Sequence, residues 1–371
     1  MPSTSLPRSA RQRGAIHLGM DVSKDSISVG ILHPEEESPV VEKISHDEQS
    51  VRRLIRKFPS PGRLVVCYEA GPTGYELHRL LVSMGVTCDV IAPSLIPKRA
   101  GDRVKTDKRD AKKLARLHRA GELTAIRVPS VEEEAVRDAA RARADMVDDL
   151  GRARKRMQAF LLRHGQIYRD GSAWTIKHHQ WLRSVDFEDR ALRLTFGRYL
   201  AIVEAREAEL EAMEAELRPY LEHRLFADEI ARLCAYRGVA ALGALTLASE
   251  VCDWRRFPSA GAFMGFCGLT VSEYSSGGTV SRGHLTKTGN NHIRTQLVES
   301  AWAYQHRPSL GAELRRRQTD LDPDTVARAW AAQQRLCARF HRLQARKNNK
   351  PVVVAAIARE LAGFLWAEMV A

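Results

Sequence analysis

From Gly14 onward the hydrophobic pattern switches repeatedly between strand period and helix period, and this alternation restricts the fold more than any other feature. "AIHLGMDV" and "SISVGILH" are β-rich runs parted by the polar turn "SKD", and "PVVEKIS" is a third, which predicts an antiparallel three-stranded meander. "DEQSVRRLIRKF" then has helical spacing; it is followed by a buried-type strand "RLVVCYEA", a helix "GYELHRLLVSMG" and a strand "VTCDVIA". The order β-β-β-α-β-α-β implies a mixed sheet with helices on its faces. A basic helix "DAKKLARLHRAG", ended by glycine, and a short strand-like "TAIRV" before Pro129 complete this part.

Domain organisation follows from the changes of texture. Residues 1–13, with Arg8, Arg11 and Arg13 among Ser and Pro, read as a disordered basic arm, and residues 14–130 as the α/β domain. Residues 131–226 are long helices with apolar positions three and four apart and dense charge between them, which predicts a coiled-coil hairpin or dimerising arm; a solvated spacer within one monomer is the other reading. Residues 227–371 form a mostly helical third region, broken by the tract "EYSSGGTVSRGHLTKTGNN". No tandem repeat is visible.

A formal net charge of +13 and a pI near 9.7 point to a polyanionic partner, and nucleic acid is the usual one. The six cysteines lie far apart, with no C-x-x-C pair and no His/Cys cluster at zinc spacing, so neither a disulfide framework nor a structural zinc site is expected. No apolar run has the length of a membrane span, and the start lacks a signal-peptide core. These features predict a soluble cytoplasmic protein with no membrane partner.

Four carboxylates carry the first chemical signal. Asp21 falls near the end of the first strand in "GMDVSK", and Glu69 ends the fourth in "VVCYEAGPTGYE". Asp107 and Asp110, three apart in "KTDKRDAKKLA", share a helix face. Acids from two strand ends and one helix could converge above a sheet, where hard oxygen ligands suit Mg²⁺ (or Mn²⁺) and phosphoryl transfer. Each also has a structural reading: Asp107 and Asp110 as cap and first-turn charge, Asp21 as a turn residue, Glu69 as an ion-pair partner. Lys105, Lys108, Arg109, Lys112 and Lys113 crowd the same stretch and would draw phosphates in.

These segments, "GMDVSKDSISVGIL", "YEAGPTGYELHRLL" and "KTDKRDAKKLA", resemble the N-terminal DEDD domain of transposases related to the Piv invertase, the insertion-sequence recombinases guided by a bridge RNA. The resemblance implies an RNase H-like (RuvC-like) fold there and metal binding by Asp21, Glu69, Asp107 and Asp110. In the C-terminal region "YRGVAALGALTLASEV" resembles the family's helix-hairpin-helix segment, "RRFPSAGAFMGFCGLTVSEYSSGG" its central block and "SRGHLTKTGNNHIRTQL" the stretch that follows. By position the resemblance makes Ser276 the nucleophile, with Ser275 its neighbour. At the hairpin the family's Gly-x-Gly stands here as Gly238-Val239-Ala240, and alanine crowds a phosphate where glycine would not.

The chemistry suits the residue types. Small neighbours such as Gly277 and Gly278 let a hydroxyl and a phosphate approach closely, whereas the bland reading of the tract is a flexible Gly/Ser loop. Arg282, His284, Lys287 and Arg294 are suitable phosphate-holding groups, and Asn290 and Asn291 could donate hydrogen bonds. The resemblance implies an RNA-guided insertion-sequence transposase that cuts and rejoins donor and target DNA through a serine–phosphate link, and the joining of two DNA sites implies a dimer or tetramer. The alternatives are a RuvC-like metal-dependent nuclease and a non-enzymatic nucleic-acid-binding protein.

Overall fold

The computed structural model describes residues 14–97, 106–275, 278, 281–347 and 349–371, leaving the side chain of Arg282 aside. The basic arm at 1–13 lies outside the described residues. The chain divides into two compact units between Val128 and Pro129.

The first unit holds a five-stranded sheet in the order β3-β2-β1-β4-β5. Its strands are β1 (Ile16–Val22), β2 (Ser26–Leu32), β3 (Val40–Ser45), β4 (Leu64–Glu69) and β5 (Thr87–Ile91). β1 pairs antiparallel with β2, and β2 with β3, as short polar turns allow; β4 lies parallel to β1 and β5 to β4. The parallel pairs need crossovers, supplied by α1 (Glu48–Arg56) and α2 (Glu76–Ser83). Leu18, Met20, Val29, Val66 and Tyr68 form one core with Leu54, Ile55, Leu77 and Leu81 of those helices. The stretch "TAIRV" lies antiparallel beside β5, with Ala125 opposite Ile91, the Ile126 N–H donating to the Val90 carbonyl at 2.8 Å and the Ala92 N–H to the Thr124 carbonyl at 3.0 Å, a pairing too short to make a sixth strand.

The other face carries α3 (Asp107–Ala120), ended by Gly121 in the left-handed conformation. It sits directly on the sheet backbone, over two glycines that are cross-strand partners, Gly19 and Gly30. A Cβ on Gly19 would stand 2.3 Å from the Ala115 nitrogen, and one on Gly30 2.6 Å from the Ala111 oxygen. The small residues Ala111 and Ala115 complete the fit.

The second unit is helical. α4 (Val131–Arg163), opened by a capping box of Ser130 and Glu133, packs antiparallel on α6 (Arg190–Leu217), with α5 (Ile176–Ser184) between them in sequence. Leu150, Met157, Phe160, Leu182, Phe196 and Val203 form their own core. Arg143–Glu214 at 2.5 Å and Arg154–Glu207 at 2.6 Å tie the pair from the flanks. The charged helices thus find their partner within the chain, and residues 129–371 form a single unit rather than a separate middle and end.

α7 (Ala227–Cys234), α8 (Ala241–Val251), α9 (Ala260–Phe266), α10 (Asn291–Ala301), α11 (Ala312–Arg317), α12 (Pro323–Arg346) and α13 (Lys350–Val370) enclose the largest core. α13 is its axis, with Val354, Ile357, Leu361 and Leu365 fully buried. Near its end the wholly buried Glu368 meets Arg232, Arg328, Thr325 and Tyr236. Burial alone would raise its carboxyl, but hydrogen bonds from Arg328, Thr325 and Arg232 hold it down at about 2. All six cysteines are free, and no helix among the described residues is long and apolar enough to cross a membrane.

Candidate functional site

Side-chain alternation along the strands decides which face the acids occupy. Gly19 of β1 lies under α3 and the Cys67 thiol of β4 donates to the Leu114 carbonyl of α3 at 3.7 Å. Asp21 and Glu69 are each two residues further on, so both belong to the same α3 face. Met20 opposite Tyr68 is the last paired position of the two parallel strands, which leaves Asp21 and Glu69 side by side at their carboxyl ends.

The direction of α3 is fixed independently. His118, near its end, meets His17 at the start of β1, with Nδ1 to Nδ1 3.4 Å, and its Nε2 donates to Asp89 of β5 at 3.1 Å. Ala111 and Ala115 lie further along β1, over Gly19. The helix therefore runs antiparallel to β1, and its first turn, with Asp107 and Asp110, lies toward the Asp21 end. All four acidic positions share one face and one edge.

The first turn is capped by Thr106, whose hydroxyl accepts from the Arg109 nitrogen, so neither aspartate is the cap. Asp107 is exposed and Asp110 half-buried; the Asp110 Oδ2 is enclosed with no hydrogen-bond partner among the described residues. Such an oxygen calls for a donor or a cation. Among the described residues, however, no three His, Cys, Asp or Glu side chains are gathered closely enough to hold a metal. The acids share an edge without forming a closed ligand set. Lys108 and Arg109 are exposed beside them, Lys112 and Lys113 are half-buried, and Lys105 lies outside the described residues.

The second unit presents the serine tract on a two-stranded hairpin, β6 (Val271–Glu273) and β7 (Arg282–Leu285). Ser276 and Gly277 lie outside the described residues. The neighbouring Ser275 hydroxyl donates to Glu273 Oε1 at 2.8 Å, and Tyr274 beside it is 80% exposed. His284 is exposed, and its carbonyl accepts from Ser272 Oγ at 3.2 Å.

The base of the hairpin is tightly packed. Thr286, Lys287 and Asn290 donate their backbone N–H groups to the carbonyls of Thr270, Gly268 and Phe266 at 2.8, 3.2 and 2.8 Å. Lys287 takes a left-handed backbone, φ +53°, that only a constrained setting imposes on a lysine. Gly289, φ +136°, passes so close that a Cβ there would be 2.2 Å from the Phe266 oxygen.

Two of the expected nucleic-acid contacts, Asn290 and Arg294, bond within the protein. Asn290 caps α10, its Oδ1 accepting from Ile293 N at 3.0 Å, while its Nδ2 donates to Glu250 at 2.7 Å. The Arg294 guanidinium donates to the carbonyls of Cys267 and Lys287 at 3.2 Å each and to Asn291 Oδ1 at 2.7 Å. Both side chains are taken up by the protein because a loop with so little to bury needs polar ties to hold its shape.

Sequence patterns missed Glu250 and Arg141. Glu250 on α8 receives Arg141 Nε at 2.5 Å and Nη2 at 2.9 Å from α4. Burial would raise its carboxyl, but Arg141, Asn290 and nearby His292 together hold it below the usual range. A lone Glu inside the apolar run "ALGALTLASEV" was the available signal. His17, likewise buried in a strand, was missed.

Residues 18–165 match a transposase family of the DEDD, IS110 type, and residues 230–315 match the Transposase IS116/IS110/IS902 family. The y4qE protein of Sinorhizobium fredii is 41% identical over 353 residues, covering 94% of this chain and 87% of its own length. The transposase for insertion sequence element IS1533 of Leptospira borgpetersenii is 33% identical, over 90% of this chain and 98% of its own length. The transposase for IS1328 of Yersinia enterocolitica is 25% identical over 66% of this chain and 71% of its own length.

Proposed function

The chain belongs to the IS110 family of insertion-sequence transposases, enzymes that cut and rejoin DNA, and on that premise we propose a serine recombinase with a separate acidic metal site. Asp21, Glu69, Asp107 and Asp110 would hold Mg²⁺ or Mn²⁺ in an RNase H-like domain. The observation that carries this reading is the common face and edge of the four positions, reached from two parallel strands and one antiparallel helix. Hard carboxylate oxygens and the unpartnered Asp110 Oδ2 fit a small divalent cation. Bound there, it would neutralise charge on a DNA phosphate.

Ser276 is the nucleophile. Its Oγ forms a bond to phosphorus as one backbone P–O bond breaks; the hydroxyl proton leaves and the departing DNA oxygen takes one up. Attack by a DNA hydroxyl on the phosphoserine reverses these changes, joining a new strand and restoring the serine, so no high-energy cofactor is consumed. Lys287 and His284, exposed beside the tract, are suited to steady the phosphate. A structured bridge RNA chooses donor and target DNA by base pairing, which suits a diffusely basic chain with a net charge of +13. The protein works as a homo-oligomer, because each exchange joins two DNA sites.

The test uses protein with its co-purified RNA and a suicide DNA substrate. Wild type should leave a protein–DNA species that survives denaturant, and Ser276→Ala should leave none. Asp21→Asn should abolish recombination while RNA binding persists. Adduct formation by Ser276→Ala removes that serine from the mechanism, and free ends produced by water would indicate a metal-dependent nuclease instead.

A further inference from the structure

Glu250 has only 1% of its side chain exposed, and three donor groups from two other elements converge on it: two from Arg141 on α4 and one from Asn290 at the start of α10. Burying a carboxylate is costly, and for packing alone an apolar side chain serves as well or better. What the charge adds is direction, because each donor has one productive orientation.

Asn290 shows where that direction is used. Capping α10 requires only its Oδ1, a task that serine performs as well. Its Nδ2 does something further: it pins to Glu250 the leg of chain that has just left β7. That leg contains the left-handed Lys287 and the closely packed Gly289, conformations that persist only while their surroundings hold them. Lys287 follows the short strand β7 by two residues, and β7 pairs with β6, so a shift of the leg is carried into the hairpin.

We propose that Glu250 is a positioning residue for the serine-bearing hairpin, fixing its base through Asn290 and tying that base to the helical arm through Arg141. The proposal rests on the reading of Ser276 as the nucleophile. It reassigns Asn290 from a nucleic-acid contact to the link between catalytic tract and scaffold.

Asn290→Ser separates the two tasks, since it keeps a capping oxygen but has no donor for Glu250. The expected result is adduct formation slowed by about tenfold or more, with DNA affinity within about twofold of wild type and an unchanged melting temperature. Amide exchange at 286, 287 and 290 should quicken, because those N–H groups close the base. Asn290→Asp keeps the capping oxygen but sets a second carboxylate against Glu250, and should slow adduct formation at least as far.

An Asn290→Ser protein with the wild-type adduct rate overturns the proposal. So does one that loses DNA affinity with its amide exchange unchanged, which would make Asn290 a nucleic-acid contact after all. If wild type itself forms no adduct, the reading of Ser276 fails; exchange then decides separately whether the Glu250 clasp exists.

Discussion

His17 is 1% exposed, and its neighbours dictate its protonation. His118 Nε2 donates to Asp89 and its Nδ1 lies 3.4 Å from His17 Nδ1; His17 Nε2 is buried without a partner among the described residues. Desolvation first, then the charges of His118 and Arg119, lower its pKa from 6.5 to about 4. In that interval the unfolded chain binds the proton and the folded protein does not, so stability falls as pH drops from about 6.5 toward 4. The loss is at most on the order of 3 kcal/mol. Denaturant titrations at pH 7 and pH 4.5 should show it, and His17→Gln should flatten the difference. None of this was legible in "AIHLGMDV", where a histidine at an alternating position gives no hint of the helix that will cover it. The placing of Asp21 and Glu69 was legible because a carboxylate is improbable at the end of an apolar strand, and that of Asp107 and Asp110 because they stand three apart on a helix, whereas the bonds that Asn290 and Arg294 make within the protein were not, because a polar tract looks the same whether it binds phosphate or its own carbonyls.

At the scale of elements, the acidic edge depends on how α3 meets the sheet. The paired glycines let helix backbone touch strand backbone, and this contact sets how far along β1 the first turn reaches. Gly19→Ala would place its methyl group 2.3 Å from the Ala115 nitrogen, against backbone that no rotamer change can move aside. The expected cost is about 1–3 kcal/mol, with α3 displaced and recombination lost though every acid is retained. Thermal unfolding together with a recombination assay checks it; an active Gly19→Ala enzyme of wild-type stability would rule out the close seat. The strands and helices themselves were readable from period, and the glycine stop of α3 from "HRAG". Its antiparallel course over β1 was not, because direction is decided by contacts distant in sequence, such as His17 with His118.

Across the whole molecule, the division at Val128/Pro129 gives each unit its own apolar core. Residues 14–128 made alone should therefore unfold in one cooperative urea transition, and circular dichroism would reveal a gradual melt if that core were insufficient. The sequence suggested a third division, since charge-rich helices read as separate; their ion pairs and the buried Arg141–Glu250 contact instead join α4 to the helices that carry the hairpin. Period and charge show that a helix exists, but not which neighbour it chooses. The Glu368 cluster has one more consequence, for the genetics of such elements. Glu368→Ala would remove the carboxylate that Arg232 and Arg328 share and leave two guanidiniums around an empty core position. A copy carrying that one change, outside both the acids and the serine tract, would look almost intact on paper and yet be silent.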